Sequence, residues 1–155
     1  MEPARNRSTT QAARPYGTAG WLLFALFAFR VVAQPLSLVV DIGLPAFESW
    51  HSATLPYGVL LASQLLILAA LGWTNYRFSI GAVEPRRSIG LVASTLGGIY
   101  FAAMAARLVL GLTVFSHSRW FASPIPTVFH LVLATWLLGY GRFHRTFTAD
   151  RSSDR

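Results

Sequence analysis

Four long apolar stretches constrain the fold of this 155-residue chain more than any other feature. They cover about residues 17–40, 56–76, 89–115 and 127–144, and each is close to the ~20 residues that a helix needs to cross about 30 Å of hydrocarbon. Charged residues make up 12% of the chain, about half of the roughly 25% found in soluble proteins. They collect between the stretches, so the pattern predicts four membrane-spanning segments.

The spanning segments are predicted to be helices, because lipid offers no partners to backbone N–H and C=O groups and a helix satisfies them internally. Short connections make successive helices antiparallel neighbours. We therefore predict an all-α, polytopic membrane protein with four helices in an up-down-up-down bundle over residues 17–144. Residues 1–16 are predicted to be a disordered cytoplasmic arm and residues 145–155 a cytoplasmic tail, since both are polar.

The distribution of arginine predicts the orientation in the membrane. All 13 basic residues are Arg, a usage typical of a GC-rich genome, and they concentrate in the N-terminal arm, the 77–88 loop and the tail. The 41–55 loop has none and the 116–126 loop has only Arg119. The positive-inside rule then places both termini in the cytoplasm, as in a bacterial inner-membrane protein. It also accounts for the net charge of +7 without a nucleic-acid partner.

Two parts of the chain look like copies of one helical hairpin. Residues 20–32 align with residues 97–109, and the matched pairs include Arg30 with Arg107. In addition, a Trp followed by a Pro at the same spacing precedes both the second and the fourth stretch. Membrane proteins often contain such parallel repeats, so the pattern predicts a tandem duplication.

Small and aromatic residues predict how the helices pack and where they meet the membrane surface. Tryptophans near the ends of the stretches, such as Trp50 and Trp73, are typical of interfacial anchors. Small residues let neighbouring backbones approach closely, and their concentration in the third stretch predicts that this helix is the most central. These small residues are Gly90, Ala93, Ser94, Gly97, Gly98, Ala102 and Ala106.

Arg30 and Arg107 are the most informative polar residues, because each lies inside an apolar stretch. An arginine near the centre of a bilayer costs roughly 2.5–3.5 kcal/mol on insertion scales. Three interpretations are open. The guanidinium groups bind the anionic or carbonyl-bearing head group of a lipid-like molecule such as a quinone, they tie helices together by hydrogen bonds, or Arg107 snorkels to the outer surface. The predicted ligand-binding residues are Arg30, Gln34, Gln64, Arg107 and His130.

Metal and haem sites have less support in the sequence. The chain has no Cys, which excludes thiolate metal sites and covalent haem attachment. A b-type haem is also disfavoured, because no histidine inside another stretch matches His130, and His144 is interpreted as an interfacial residue. Four residues in or beside the outer loops offer metal-ligand chemistry, although their spacing matches no metal motif: Asp41, Glu48, His51 and His117.

Two segments resemble the DoxX-like family of small membrane proteins. Residues 106–115, ARLVLGLTVF, resemble that family's first helix with its R-x-x-L/V-G core, and residues 60–72, LLASQLLILAALG, resemble its second helix. The resemblance implies a four-helix membrane fold and a link to quinone-dependent sulfur oxidation or to redox and detoxification complexes. The chain departs from the family at Gln64, where Glu is usual, and in having its arginine helix third.

These features predict an integral membrane protein that binds a quinone or another lipid-like ligand. We expect an accessory subunit of a redox-linked complex, in contact with membrane lipid and with other subunits or further copies of itself, rather than an enzyme. The alternatives are a structural or assembly subunit without a ligand, a small metal-dependent membrane enzyme that uses the outer-loop histidines, and a small-anion transporter. The transporter would require several copies, since four helices alone form a narrow path.

Overall fold

The computed structural model describes residues 4–40, 43, 45, 47–50, 56–115, 117, 121 and 123–153, with side chains over 14–40, 43, 45, 47, 50, 56–115, 117, 121 and 123–148. The described residues form four long helices and one helix of a single turn. In chain order they are α1 (Ala4–Leu36), α2 (Phe47–Trp50), α3 (Tyr57–Ser79), α4 (Arg87–Thr113) and α5 (Pro124–Ser153). The predicted all-α class is confirmed.

Each long helix contains a segment that is long and apolar enough to cross a membrane. Large apolar side chains such as Val32 and Leu66 point outward and are exposed, as expected where lipid surrounds the helices. The predicted four-helix membrane bundle is therefore confirmed at the level of its helices. The four segments are Arg14–Leu36, Tyr57–Ser79, Arg87–Thr113 and Pro124–Thr148.

The long helices alternate in direction, as predicted. Trp21, near the start of the apolar segment of α1, donates from Nε1 to the Ser79 hydroxyl at the end of α3, at 3.0 Å. The ring of Tyr16 lies 5.7 Å from the ring of Phe143 near the end of α5, so α1 begins where α5 ends. We call this the arginine-rich end, and the opposite end the α2 end. The arginines with described side chains at the arginine-rich end are Arg14, Arg77, Arg86, Arg87, Arg142 and Arg145.

Three helix boundaries differ from the prediction by about four residues or more. Residues 4–16 are helical where a disordered arm was predicted, because Ala and Arg favour helix and these turns continue the hydrogen bonding of the span. At its other end α1 stops at Leu36 rather than residue 40, and the chain continues as turns in which Leu38 and Val39 donate to carbonyls three residues back. α5 continues to Ser153, where the sequence predicted a polar tail from residue 145.

The helices pack in the order α3, α1, α5, α4. Among the described residues, the backbone of α3 approaches only α1 and that of α4 approaches only α5, whereas α1 and α5 contact each other. The prediction that the third spanning helix, α4, is the most central is therefore wrong. Its small residues serve one neighbour instead of several, which leaves α1 and α5 in the middle of the row.

Glycines bring α4 and α5 close together. A Cβ at Gly97 would lie 3.1 Å from the backbone nitrogen of Leu138, and a Cβ at Gly141 would lie 2.7 Å from that of Ser94. Side chains at these positions would force the helices apart, so Gly allows the close packing that drives helix association in lipid. Gly98, which was predicted to share this stripe, has open space where its Cβ would be.

The largest described apolar cluster lies where α1, α3 and α5 meet. Phe27 and Val31 of α1 pack with Leu71 of α3, and Leu133 and Trp136 of α5 cover them. These side chains place a band of hydrocarbon between the two ends of the molecule. The candidate site lies between this cluster and α2.

Candidate functional site

Arg30 lies near the α2 end of α1. It comes six residues before Leu36, the last residue of the helix, or roughly 9 Å along the axis, and only 4% of it is exposed. Its Nη2 donates to the backbone carbonyl of Trp50 at 3.1 Å, and its guanidinium carbon lies 5.6 Å from the centre of the Phe129 ring. The helix α2 ends at Trp50, so this carbonyl has no partner within α2 and carries partial negative charge.

Trp50 holds α2 against the long helices. Its Nε1 donates to the carbonyl of Pro45 at 2.9 Å, and its indole lies 6.4 Å from the ring of Phe29 and 6.4 Å from that of Phe129. The side chain is buried. The sequence favoured an interfacial anchor at this position, whereas Trp50 is a packing residue that orients the carbonyl bound by Arg30.

Gln34 and Gln64 are buried in the seam between α1 and α3. Gln34 follows Phe27 by seven residues and Gln64 precedes Leu71 by seven, and Phe27 and Leu71 belong to one cluster. Residues seven apart lie on nearly the same face of a helix, so both glutamines continue the faces that pack together. Their exposed fractions are 0% for Gln34 and 3% for Gln64.

The two glutamines also lie at the same level. A Cβ at Gly72 would lie 3.4 Å from the ring of Phe24, which fixes the register of the antiparallel pair. Gln34 lies ten residues beyond Phe24, and Gln64 lies eight residues before Gly72. At 1.5 Å per residue, their backbones are offset by about 3 Å along the helix axes.

Neither glutamine has a hydrogen-bond partner among the described residues. The carboxamide oxygen and nitrogen of both side chains are buried and unpaired, and so is Nε of Arg30. Buried polar groups are almost always hydrogen-bonded in native proteins. Five unpaired atoms on three side chains at one end of a bundle therefore indicate a candidate binding site, where a bound molecule would supply the missing hydrogen bonds.

Arg107 and His130 flank this site from the α4–α5 side. The hydroxyl of Tyr100 and Nδ1 of His130 share a hydrogen bond that joins α4 to α5. Arg107 lies six residues before Thr113, the last residue of α4, and His130 lies six residues after Pro124, the first residue of α5. Arg30 also lies six residues from the α2 end of its helix, so both arginines and His130 lie at a similar depth in the bundle.

The predicted metal ligands do not form a described site. His117 is exposed, while Asp41, His51 and the side chain of Glu48 lie outside the described residues. No group of three His, Asp or Glu side chains suited to a metal ion occurs in the part of the chain that the structure describes.

Two buried polar residues near the arginine-rich end were missed or misread from the sequence. Asn75 of α3 donates from Nδ2 to the carbonyl of Gly20 at 3.0 Å and accepts from Nε1 of Trp136 at 3.1 Å. His144, interpreted as interfacial, is 1% exposed, and its Nδ1 accepts from the N–H of Arg86 at 3.0 Å, just before α4. In the sequence, the only indication that Asn75 is a buried polar residue was its position as an amide inside an apolar stretch.

Comparison with protein-family models, with curated proteins and with solved structures finds no match for this chain. The fold and the site define a multi-pass helical membrane protein with a buried polar group of residues at its α2 end.

Proposed function

We propose that the protein binds a quinone or another lipid-like molecule at the α2 end, through Arg30, Gln34, Gln64, Arg107 and His130. It would do so as an accessory subunit of a redox-linked membrane complex. The observation that carries the proposal is the pair of buried carboxamides, Gln34 and Gln64, which have no partners among the described residues.

The energetic argument rests on the cost of these unpaired groups. A buried polar group without a hydrogen bond costs about 1–3 kcal/mol, and water is scarce within the hydrocarbon to relieve it. The polar head of a membrane-soluble molecule can reach the site from the lipid and supply the missing bonds. Its hydrocarbon tail would remain among the outward apolar side chains.

The charge of Arg30 favours a ligand rich in oxygen. The four spanning segments contain no Asp or Glu, and among the described residues Arg30 makes no ion pair. A guanidinium keeps its charge in apolar surroundings and presents several N–H donors. The bond to Trp50 uses only Nη2 of Arg30, so Nε of Arg30 can donate to a carbonyl, hydroxyl or anionic oxygen of a ligand.

The proposal also includes the orientation of the protein in the membrane and its membership of the DoxX-like family. The arginine-rich end faces the cytoplasm by the positive-inside rule, so the ligand site lies near the outer face of a bacterial inner membrane. Membership of the DoxX-like family remains a proposal from the resemblance of residues 60–72 and 106–115.

A second candidate is a structural subunit without a ligand. The bond from Arg30 to Trp50 fastens α2 to α1, and the Tyr100–His130 bond fastens α4 to α5. The backbones of the edge helices α3 and α4 each approach one neighbouring helix, and both helices expose large apolar side chains among the described residues. Partner subunits or further copies of the chain would fit those faces.

Purification in a mild detergent from native membranes, followed by mass spectrometry of bound lipids and proteins, tests the proposal. We expect one quinone or lipid species to remain bound at near-stoichiometric level, and Arg30→Leu and Arg107→Leu to retain less than about a tenth of it. Arg142→Leu, an exposed arginine at the other end, is the control and should retain the full amount. A stable protein partner without an enriched lipid would favour the structural candidate instead.

A further inference from the structure

The unpaired atoms around Gln34 and Gln64 include both donors and acceptors. In the described core they comprise two carboxamide oxygens, two carboxamide nitrogens and Nε of Arg30. The oxygens can only accept hydrogen bonds, and the nitrogens can only donate them. A molecule that completes this set must therefore donate as well as accept.

Oxidised and reduced quinone head groups differ in whether they can donate hydrogen bonds. A quinone carbonyl accepts hydrogen bonds but donates none, so a bound quinone would leave both carboxamide oxygens unpaired. A hydroquinone hydroxyl donates one hydrogen bond and accepts others. Since a buried acceptor without a donor is costly, the reduced head group matches these residues better.

We infer that the site selects a membrane-soluble molecule with a hydroxyl-bearing head, so that a hydroquinone binds more tightly than the quinone formed from it. The inference rests on the proposed function, because it requires Gln34 and Gln64 to contact the head group. The hydroxyl hydrogens would be donated to the carboxamide oxygens, while the hydroxyl oxygens accept from the carboxamide nitrogens and from Nε of Arg30. The bond from Arg30 to Trp50 stays in place.

A purely structural role for the glutamines makes the opposite prediction for stability. If the two carboxamides bond to each other in the ligand-free protein, replacing either with Met removes that bond and destabilises the fold. If they are held unpaired for a ligand, Met has a similar size and no polar atoms to bury, so the ligand-free protein becomes more stable.

The binding test uses the full-length protein, delipidated and placed in phosphatidylcholine nanodiscs. Decylubiquinol and decylubiquinone are titrated separately under anaerobic conditions by calorimetry. We expect the quinol to bind about a hundredfold more tightly, because the quinone leaves two buried acceptors unpaired and each is worth about tenfold. In Gln34→Met or Gln64→Met, each of which removes one of the two acceptors, this ratio should fall to about ten, and in the double variant it should fall to about one. The control Ser63→Ala, which removes an exposed hydroxyl bonded within its own helix, should keep the wild-type ratio.

The outcomes separate this inference from the proposed function. Equal affinities in the wild-type protein would overturn the preference and leave the ligand site standing, and binding of neither form would overturn both. Thermal unfolding of the ligand-free variants provides the second criterion. A higher melting temperature in Gln34→Met and Gln64→Met, together with the reduced preference, supports the inference, whereas a lower one shows that the carboxamides are each other's partners and overturns it.

Discussion

At the scale of single residues, three buried carboxamides behave differently although their chemistry is the same. Asn75 uses both ends of its amide, since Nδ2 bonds to Gly20 and Oδ1 to Trp136. Gly20 makes this possible, because a Cβ there would overlap Oδ1 of Asn75. Gln34 and Gln64 have no such partners among the described residues. Asn75 is therefore a structural link between α1, α3 and α5, whereas the glutamines are candidates for binding.

Replacing Asn75 should destabilise the protein without affecting the ligand site. In Asn75→Ala the indole N–H of Trp136 loses its acceptor inside the bundle, and we expect the free energy of unfolding to fall by about 1–3 kcal/mol. Reversible unfolding in mixed detergent measures this change. The neighbouring Thr74→Ala removes a hydroxyl that bonds only to Ala70 in its own helix and should cost far less. Equal effects of the two substitutions would contradict the structural role of Asn75.

At the scale of helices, the pairing of α4 with α5 depends on glycines that the other helix pairs use less. Gly141 faces the backbone of Ser94, while Gly139, on the same helix, has open space where a Cβ would be. In lipid, where apolar surfaces gain little from leaving their surroundings, such close contacts supply much of the association energy. The α4–α5 hairpin thus depends on close backbone contacts as well as on the Tyr100–His130 bond, whereas the two buried glutamines of the site lie on α1 and α3.

A matched pair of alanine substitutions tests this difference. Gly141→Ala should reduce the free energy of unfolding by about 1–3 kcal/mol, because its Cβ would press on a backbone that cannot move without separating the helices. Gly139→Ala should instead raise it by about 0.5–1 kcal/mol, since Ala is the better helix former and meets no neighbour. The same unfolding assay compares both. A stabilising Gly141→Ala would mean that α4 and α5 are farther apart than described.

At the scale of the whole molecule, two groups of polar residues are separated by hydrocarbon. Gln34 and Gln64 lie toward the α2 end, and Asn75 and His144 lie toward the arginine-rich end. The cluster around Phe27 fills the space between them. Between α1, α3 and α5 this apolar layer separates the two polar groups, which favours a ligand site at one end over a transport route through a single chain.

The orientation of the molecule can be tested with single cysteines, because the chain has none of its own. Ser88 at the arginine-rich end and Thr113 at the α2 end are both exposed. By the positive-inside rule, a membrane-impermeant maleimide should label Thr113→Cys in intact cells and label Ser88→Cys only after the membrane is opened. The reverse pattern would place the ligand site on the cytoplasmic side.

Much of the architecture follows from local patterns in the chain. The number of helical spans and their alternating direction could be predicted. They depend on the length of each apolar stretch and on the need to satisfy its backbone hydrogen bonds in lipid, which are local properties of the chain. The polar residues of the candidate site could be identified for the same reason, since Arg30, Gln34 and Gln64 interrupt otherwise apolar helices. The bounds of α1 and α5 were harder to predict, because polar turns can extend a helix beyond the membrane.

The choice of partners could not be read from these patterns, because it depends on which faces meet in space. Small residues in α4 indicate close packing with some helix, but only the fold selects α5 and leaves α4 at the edge. Trp50 is one of several tryptophans near span ends, yet the turn of α2 buries it and directs its carbonyl to Arg30. In the sequence, a carboxamide in an apolar helix is equally consistent with a hydrogen bond inside the protein and with a ligand-binding site. The three-dimensional surroundings alone distinguish the engaged amide of Asn75 from the unpaired amides of Gln34 and Gln64.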